Sequence, residues 1–94
     1  MDQLPLAIML ALAESDNYRY GLWRQINQEQ PVRFAASQRS FYRYIDALTK
    51  SGKIEIIAGT QPSRYHLSPF GRRLLKAELA QLRVVVDLLH ERIN

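Results

Sequence analysis

The chain has 94 residues, of which 47% are apolar and 23% charged, and thirteen Lys and Arg against nine Asp and Glu give a net charge of +4. That length fits one domain within the usual range of about 50 to 250 residues. The apolar content excludes an intrinsically disordered chain, because enough side chains exist to offset the entropy of ordering. A domain this small buries only about 60% of its unfolded surface, so a partner chain would help its stability.

There is no cysteine. Disulfides, thiolate nucleophiles, Fe–S clusters and Cys-type zinc sites are excluded, and a reducing, cytoplasmic setting fits. The longest apolar run, Leu4 to Ala13, is about half of the roughly 20 residues that span a bilayer. Asp2 precedes it where a signal peptide carries positive charge, so the run reads as a core helix and no membrane partner is expected.

Pro5 suits the first turn of that helix. Leu6, Met9, Leu10 and Ala13 recur at helical spacing, while Leu4, Ile8 and Leu12 form another face, so the helix should be buried on most sides. Ser15-Asp16-Asn17 reads as a turn. A second helix is predicted from about Tyr20 to Gln30, with Leu22 and Ile26 inward and Trp23 beside them. Pro31 stops it. Val32 to Ala36 is a short strand or extended connector, with Val32 and Phe34 on one side.

Ser37 has the side chain of an N-cap. The third helix follows, about Gln38 to Ser51, with Phe41, Ile45 and Leu48 as one apolar stripe. Gly52 fits the left-handed position after it. Two strands come next, Lys53 to Ala58 and Arg64 to Leu67. Ile54 and Ile56 point one way in the first, and Tyr65 and Leu67 share a face of the second. The turn-forming run Gly59 to Ser63 makes the pair a β-hairpin. Ser68-Pro69 then starts a last helix that reaches nearly to Asn94. Its Leu75, Leu79, Leu82, Val86, Leu89 and Ile93 follow an a/d heptad over nearly three heptads. At 1.5 Å per residue it is about 39 Å long, more than so small a core covers, so a self-associating helix is expected.

The order helix, helix, short strand, helix, hairpin, helix is that of a winged helix-turn-helix. The fold class is therefore mostly α, within α+β. A DNA-binding winged helix is expected over residues 1–73 and a C-terminal dimerisation helix over residues 69–94.

Charge supports that division. Residues 1–36 net −1 and residues 74–94 net zero, whereas residues 37–73 hold seven basic against two acidic residues, a net of +5. Such a stretch suits a polyanion. In a winged helix the third helix enters the major groove. Arg39 and Arg43 are i, i+4 neighbours able to reach guanine edges or phosphates, and Gln38 is able to pair with adenine. Ser40 suits a phosphate and Tyr42 a sugar or phosphate. Ser37, Lys50 and Arg64 suit the DNA backbone, and Gln61, Ser63 and Arg64 at the hairpin tip would lie along a neighbouring groove. Tyr18, Arg19 and Arg24 are candidates for a phosphate contact from the second helix. Taken singly, each is equally an exposed polar residue; their arrangement on one helix and one wing is the signal.

At these positions the sequence resembles the PadR-like transcriptional regulators, over about residues 4–75. Tyr20-Gly21-Leu22 stands at the family's tyrosine motif opening helix two. Ser37-Gln38-Arg39-Ser40-Phe41-Tyr42, Ile45, Leu48 and Gly52-Lys53-Ile54-Glu55 are similar to its most specific stretch. Arg64-Tyr65-His66-Leu67-Ser68-Pro69-Phe70-Gly71 is similar to its wing strand and exit. Arg19 replaces the glycine usual before the helix-two tyrosine, and Gln38-Arg39 replaces a Pro-Gly pair at the base-reading end. The resemblance implies a homodimeric DNA-binding protein, usually a repressor, that addresses a pseudo-palindromic site and dimerises through its C-terminal helix. Many members release DNA on binding a small aromatic or hydrophobic ligand, but nothing in this sequence supports such an effector.

Two other functions fit the same scaffold: a sequence-tolerant protein that coats or segregates DNA, and a protein-interaction module that has lost DNA binding. The +5 excess argues against the second. An enzyme is not expected. His66 and His90 are isolated, and no HExxH, nucleophile elbow or Gly-rich phosphate loop is present, so neither a metal nor a cofactor is called for.

Overall fold

The computed structural model describes residues 3–29 and 37–93. Its elements are α1 (Leu4–Glu14), β1 (Asn17–Tyr18), α2 (Arg19–Glu29), α3 (Gln38–Lys50), β2 (Ile54–Ile56), β3 (Arg64–Leu67) and α4 (Pro69–Ile93). The expected connector with Val32 and Phe34, and the Pro31 stop, lie outside the described residues.

Among the described residues, four helices pack with a small three-stranded antiparallel sheet in the order β1-β3-β2. The hairpin forms as expected, with Ile54 opposite Leu67, Glu55 opposite His66 and Ile56 opposite Tyr65. Strand β2 is shorter than the expected Lys53 to Ala58. Residues 15–17 are not simply a turn: Asn17 and Tyr18 pair with Tyr65 and Arg64. The open edge of β3 supplies the backbone partners that make a strand of these two residues.

The core draws on every helix and on the sheet: Leu4, Ile8, Met9 and Leu12 of α1, Leu22 and Ile26 of α2, Phe41, Ile45 and Leu48 of α3, Leu75 of α4, and Ile54, Tyr65 and Leu67 of the sheet. Burying each large apolar side chain contributes about 1.5–3 kcal/mol before the entropy of ordering is subtracted. The Leu4/Ile8/Leu12 face of α1 is the innermost. On the other face, Leu6 and Met9 border α4, and Leu10 is exposed. Ile56 departs from its expected role. It shares a face with Ile54 by the pleat, yet it is 48% exposed while Ile54 is fully buried. Its cross-strand partner Tyr65 is buried on the central strand β3, whereas Ile56 lies on the edge strand β2.

One residue pair seats α4. The Ser68 hydroxyl accepts from the Gly71 N–H at 2.9 Å, which caps the helix, and it faces the Gly52 and Lys53 carbonyls at 2.5 and 3.0 Å as donor. The carbonyl of Lys53 also approaches Gly71 so closely that a Cβ there would lie 1.9 Å from it. Only a residue without a side chain fits. Gly52 itself has φ 78°, the left-handed turn that ends α3.

The first turns of α4 thus belong to the domain, and Leu75 with them. It is buried within the chain's own core, so the heptad's unpartnered part begins at Leu79. From residue 81 to residue 92 every residue is exposed, including Leu82, Val84, Val85, Val86, Leu88 and Leu89. The side chain of Ile93 lies outside the described part. Between α1 and α4 runs a groove of about 330 Å³, lined on one side by Pro5, Leu6 and Met9 and on the other by Leu74, Glu78 and Leu82. Among the described residues no helix is long and apolar enough to cross a membrane.

Candidate nucleic-acid interface

Helix α3 is presented by its own capping and packing. Ser37 takes an extended conformation and its hydroxyl accepts from the Ser40 N–H at 3.1 Å. This satisfies one of the free first-turn amides and fixes where the helix begins. Phe41, Ile45 and Leu48 hold its inner face. At 3.6 residues per turn, Arg39, Arg43 and Lys50 then fall on the opposite face, and all three are exposed. Lys50 sits about 18 Å along the axis from Gln38, at the far end of the helix, where its charge also suits the helix dipole. The helix therefore carries two separate features: a polar tip at residues 37–43 and a single cation at its C-terminus.

Gln38 and Tyr42 lie on the flank of α3. The Gln38 Nε2 donates to the Tyr42 hydroxyl at 2.8 Å. Tyr42 is half-buried, its ring packed against the core and under the guanidinium of Arg19, whose Cζ is 5.1 Å from the ring centre. The expectation that Tyr42 packs on sugar or phosphate meets a ring already engaged within the chain.

Arg19, a candidate for a phosphate contact in the sequence, is engaged within the fold. From the first turn of α2 it also lies 5.5 Å from the centre of the Tyr65 ring, donates to the Tyr65 hydroxyl, and pairs with Asp46 at 3.2 Å. It thereby joins α2, α3 and β3 at one point. Burial opposes its charge, but the hydrogen bond to Tyr65 and the fields of Tyr65 and Asp46 outweigh that and hold its pKa above the ordinary value. Its charge is permanent, and it is directed at Asp46, the one acidic residue of α3. The signal that could have marked it was the substitution of a charged side chain where the resembled family has glycine.

The wing is closed by Thr60. Its hydroxyl donates to the Ile57 carbonyl at 2.7 Å and accepts from the Arg64 N–H at 2.9 Å. Gln61 is exposed at the tip and Ser63 is half-buried. Arg64 is set back on β3, with its Cζ 5.7 Å from the centre of the Tyr18 ring. Its buried Nε has no hydrogen-bond partner among the described residues. Behind it, His66 and Glu55 face each other across the strands at 3.4 Å. Gln61 and Ser63 thus stand in the loop between β2 and β3, and Arg64 forms the wing's base. Arg24 is exposed on α2, and Tyr20 lies against Trp23 with ring centres 6.0 Å apart.

No family model and no curated protein matches this sequence. Solved structures do match in shape. A PadR family transcription regulator from Clostridium difficile superposes with a TM-score of 0.75 at 14% identity, over 99% of this chain and all of that one. A transcriptional regulator from Clostridium thermocellum gives 0.74 at 20% identity, over 95% of this chain and 88% of the other. A third structure, from Thermoplasma acidophilum, gives 0.66 at 15% identity, over 94% and 87%. The chain has the PadR-like fold. Its winged helix and its long C-terminal helix both superpose, because the matches run nearly end to end.

Proposed function

We propose that the chain is a homodimeric DNA-binding transcriptional regulator, acting as a repressor in the cytoplasm on a pseudo-palindromic site. The observation that carries this reading is the outer face of α3. Arg39, Arg43 and Lys50 stand exposed opposite the apolar stripe, in the first part of the segment that holds the chain's whole charge excess. In this reading the tip of α3 enters the major groove. Arg39 and Arg43 contact base edges, Ser37, Ser40, Lys50 and Arg64 contact the DNA backbone, and Gln61 and Ser63 bring the wing to the neighbouring groove. The regulators with the same fold support it, since each of the two clostridial structures is of a transcription regulator.

The dimer rests on α4. Leu79, Leu82, Val86 and Leu89 repeat on one face and are exposed in the single chain, and a second copy of the helix would bury them. A two-fold dimer sets its two recognition helices on half-sites about one DNA turn apart, roughly 34–36 Å.

Binding of the purified protein to duplex from its own upstream region, against random duplex, tests the reading at two salt concentrations. Tight, sequence-preferring binding that weakens steeply with salt supports a regulator, because phosphate contacts release counterions. Equal binding to both duplexes makes it a coating or segregation protein. No binding at low salt overturns DNA recognition and leaves a protein-interaction module.

A further inference from the structure

We propose that Arg19, Tyr42 and Gln38 form one adenine-reading unit, in which Gln38 touches the base and Tyr42 and Arg19 are positioning residues. The inference rests on the DNA-binding reading and adds to it a base identity and the side chains that set it.

A glutamine amide reads adenine by accepting from N6–H through Oε1 and donating to N7 through Nε2. A freely rotating amide offers its donor and acceptor in either order and loses rotamer entropy on binding. Here one Nε2 hydrogen is already held on the Tyr42 oxygen at 2.8 Å. The Tyr42 hydroxyl can accept from Nε2 or donate to Oε1, and in the arrangement observed it accepts from Nε2. That arrangement leaves Oε1 and the second Nε2 hydrogen free to meet an adenine edge, on a residue exposed at the first turn of α3.

Tyr42 is able to hold the amide because its own ring is held. The core packs one side of it and the Arg19 guanidinium covers it at 5.1 Å. Arg19 is in turn fixed at its other contacts, by the Tyr65 ring and hydroxyl and by Asp46. The chain of contacts runs from the buried sheet to the exposed amide without a gap. It also explains why a charged side chain suits the first turn of α2 in this protein: a long cation approaches both rings and still reaches a carboxylate.

The test substitutes 7-deazaadenine, which lacks N7, at each adenine of the preferred duplex in turn. In the wild type one position per half-site should lose roughly 2- to 12-fold in affinity, the range for one hydrogen bond. Gln38→Ala should abolish that sensitivity. Tyr42→Phe removes only the hydroxyl and keeps the ring, so it should fold normally and still cut the sensitivity to under about 2-fold. Arg19→Met should do the same. Sensitivity to 7-deazaguanine at a guanine read by Arg39 or Arg43 should be unchanged in all three variants, which a general loss of structure would not allow. If Arg19→Met unfolds, Tyr42→Phe decides alone. A wild type that prefers a sequence but has no such position, or a Tyr42→Phe variant that keeps the full sensitivity, overturns the unit and leaves the DNA-binding reading standing. A wild type with no sequence preference overturns both.

Discussion

The two halves of α4 have the same kind of sequence and opposite surroundings. Leu75 and Leu89 both lie on the a/d stripe, yet Leu75 is 5% exposed and Leu89 is 52% exposed. The first half is seated by Ser68 and Gly71 on the turn after α3 and lies beside α1. The second half has left the domain behind. An apolar stripe on a helix states that something covers it, and the surrounding fold decides whether that something is the same chain. In this protein the answer changes part-way along one helix, close to Leu79.

The sharpest way to break that comparison is to truncate one leucine from each half. Leu75→Ala should lower the unfolding free energy of the domain by about 2–5 kcal/mol, because it opens a cavity that the core only partly fills. That is a large share of the roughly 5–14 kcal/mol expected for a chain this long. Leu89→Ala should leave the stability of the isolated chain within about 0.5 kcal/mol and act on self-association instead. Urea unfolding at protein concentrations low enough for the monomer, beside sedimentation equilibrium, separates the two. Equal losses of monomer stability would mean that α4 is one intramolecular element throughout.

The seat of α4 gives the next two effects. Gly71→Ala places a Cβ against the Lys53 backbone carbonyl, which has no side-chain freedom with which to yield. The helix start must shift, at a cost of about 1–3 kcal/mol in thermal or urea unfolding. Ser68→Ala removes the cap from the Gly71 N–H and the donor from the Gly52 and Lys53 carbonyls. A loss of about 0.5–2 kcal/mol is expected, in the range for a helix N-cap. Both changes loosen the junction between α3 and α4, so, if α4 self-associates as proposed, they should weaken any coupling between that association and α3. A variant whose stability falls while its self-association is untouched would confine the seat to the domain alone.

Much of this was legible in the sequence because it is local. Ser37, Gly52 and Ser68-Pro69 mark boundaries through chemistry that acts within a few residues, and the Phe41/Ile45/Leu48 stripe names its own buried face. What was not legible depends on distant pairing. Two residues, Asn17 and Tyr18, carry no strand pattern and become a strand only because β3 leaves an edge open beside them. Arg19 meets Tyr65 across 46 positions and Asp46 across 27, and no spacing rule connects them. Ile56 obeys the alternation that placed it beside Ile54, yet it stays exposed on the edge strand while its partner Tyr65 on the central strand is buried. The candidate site divides in the same way. Arg39 and Arg43 could be read from helix geometry, whereas the engagement of Tyr42 with Gln38 and Arg19 required the fold.

The smallest effect tests the electrostatic side of that engagement. Asp46 lies on α3 close to the face that carries Arg39, Arg43 and Lys50, and its carboxylate is two-thirds exposed. Its pairing with Arg19 is a surface ion pair, which contributes about 0–1 kcal/mol. Asp46→Asn should therefore change stability by less than about 1 kcal/mol. In the proposed reading its effect on DNA binding should have the opposite sign, because the substitution removes the one acidic group of α3 from the helix that would meet phosphates and leaves the charge of Arg19 uncompensated. Affinity for duplex should rise, more at low salt than at high salt, since the gain is Coulombic and is screened over a Debye length of about 10 Å at 0.1 M. A small loss of stability joined to a gain in affinity would show that Arg19 shields this carboxylate as well as holding Tyr42. If affinity falls instead, Asp46 acts chiefly by fixing Arg19 over the two rings, and shielding is not its role.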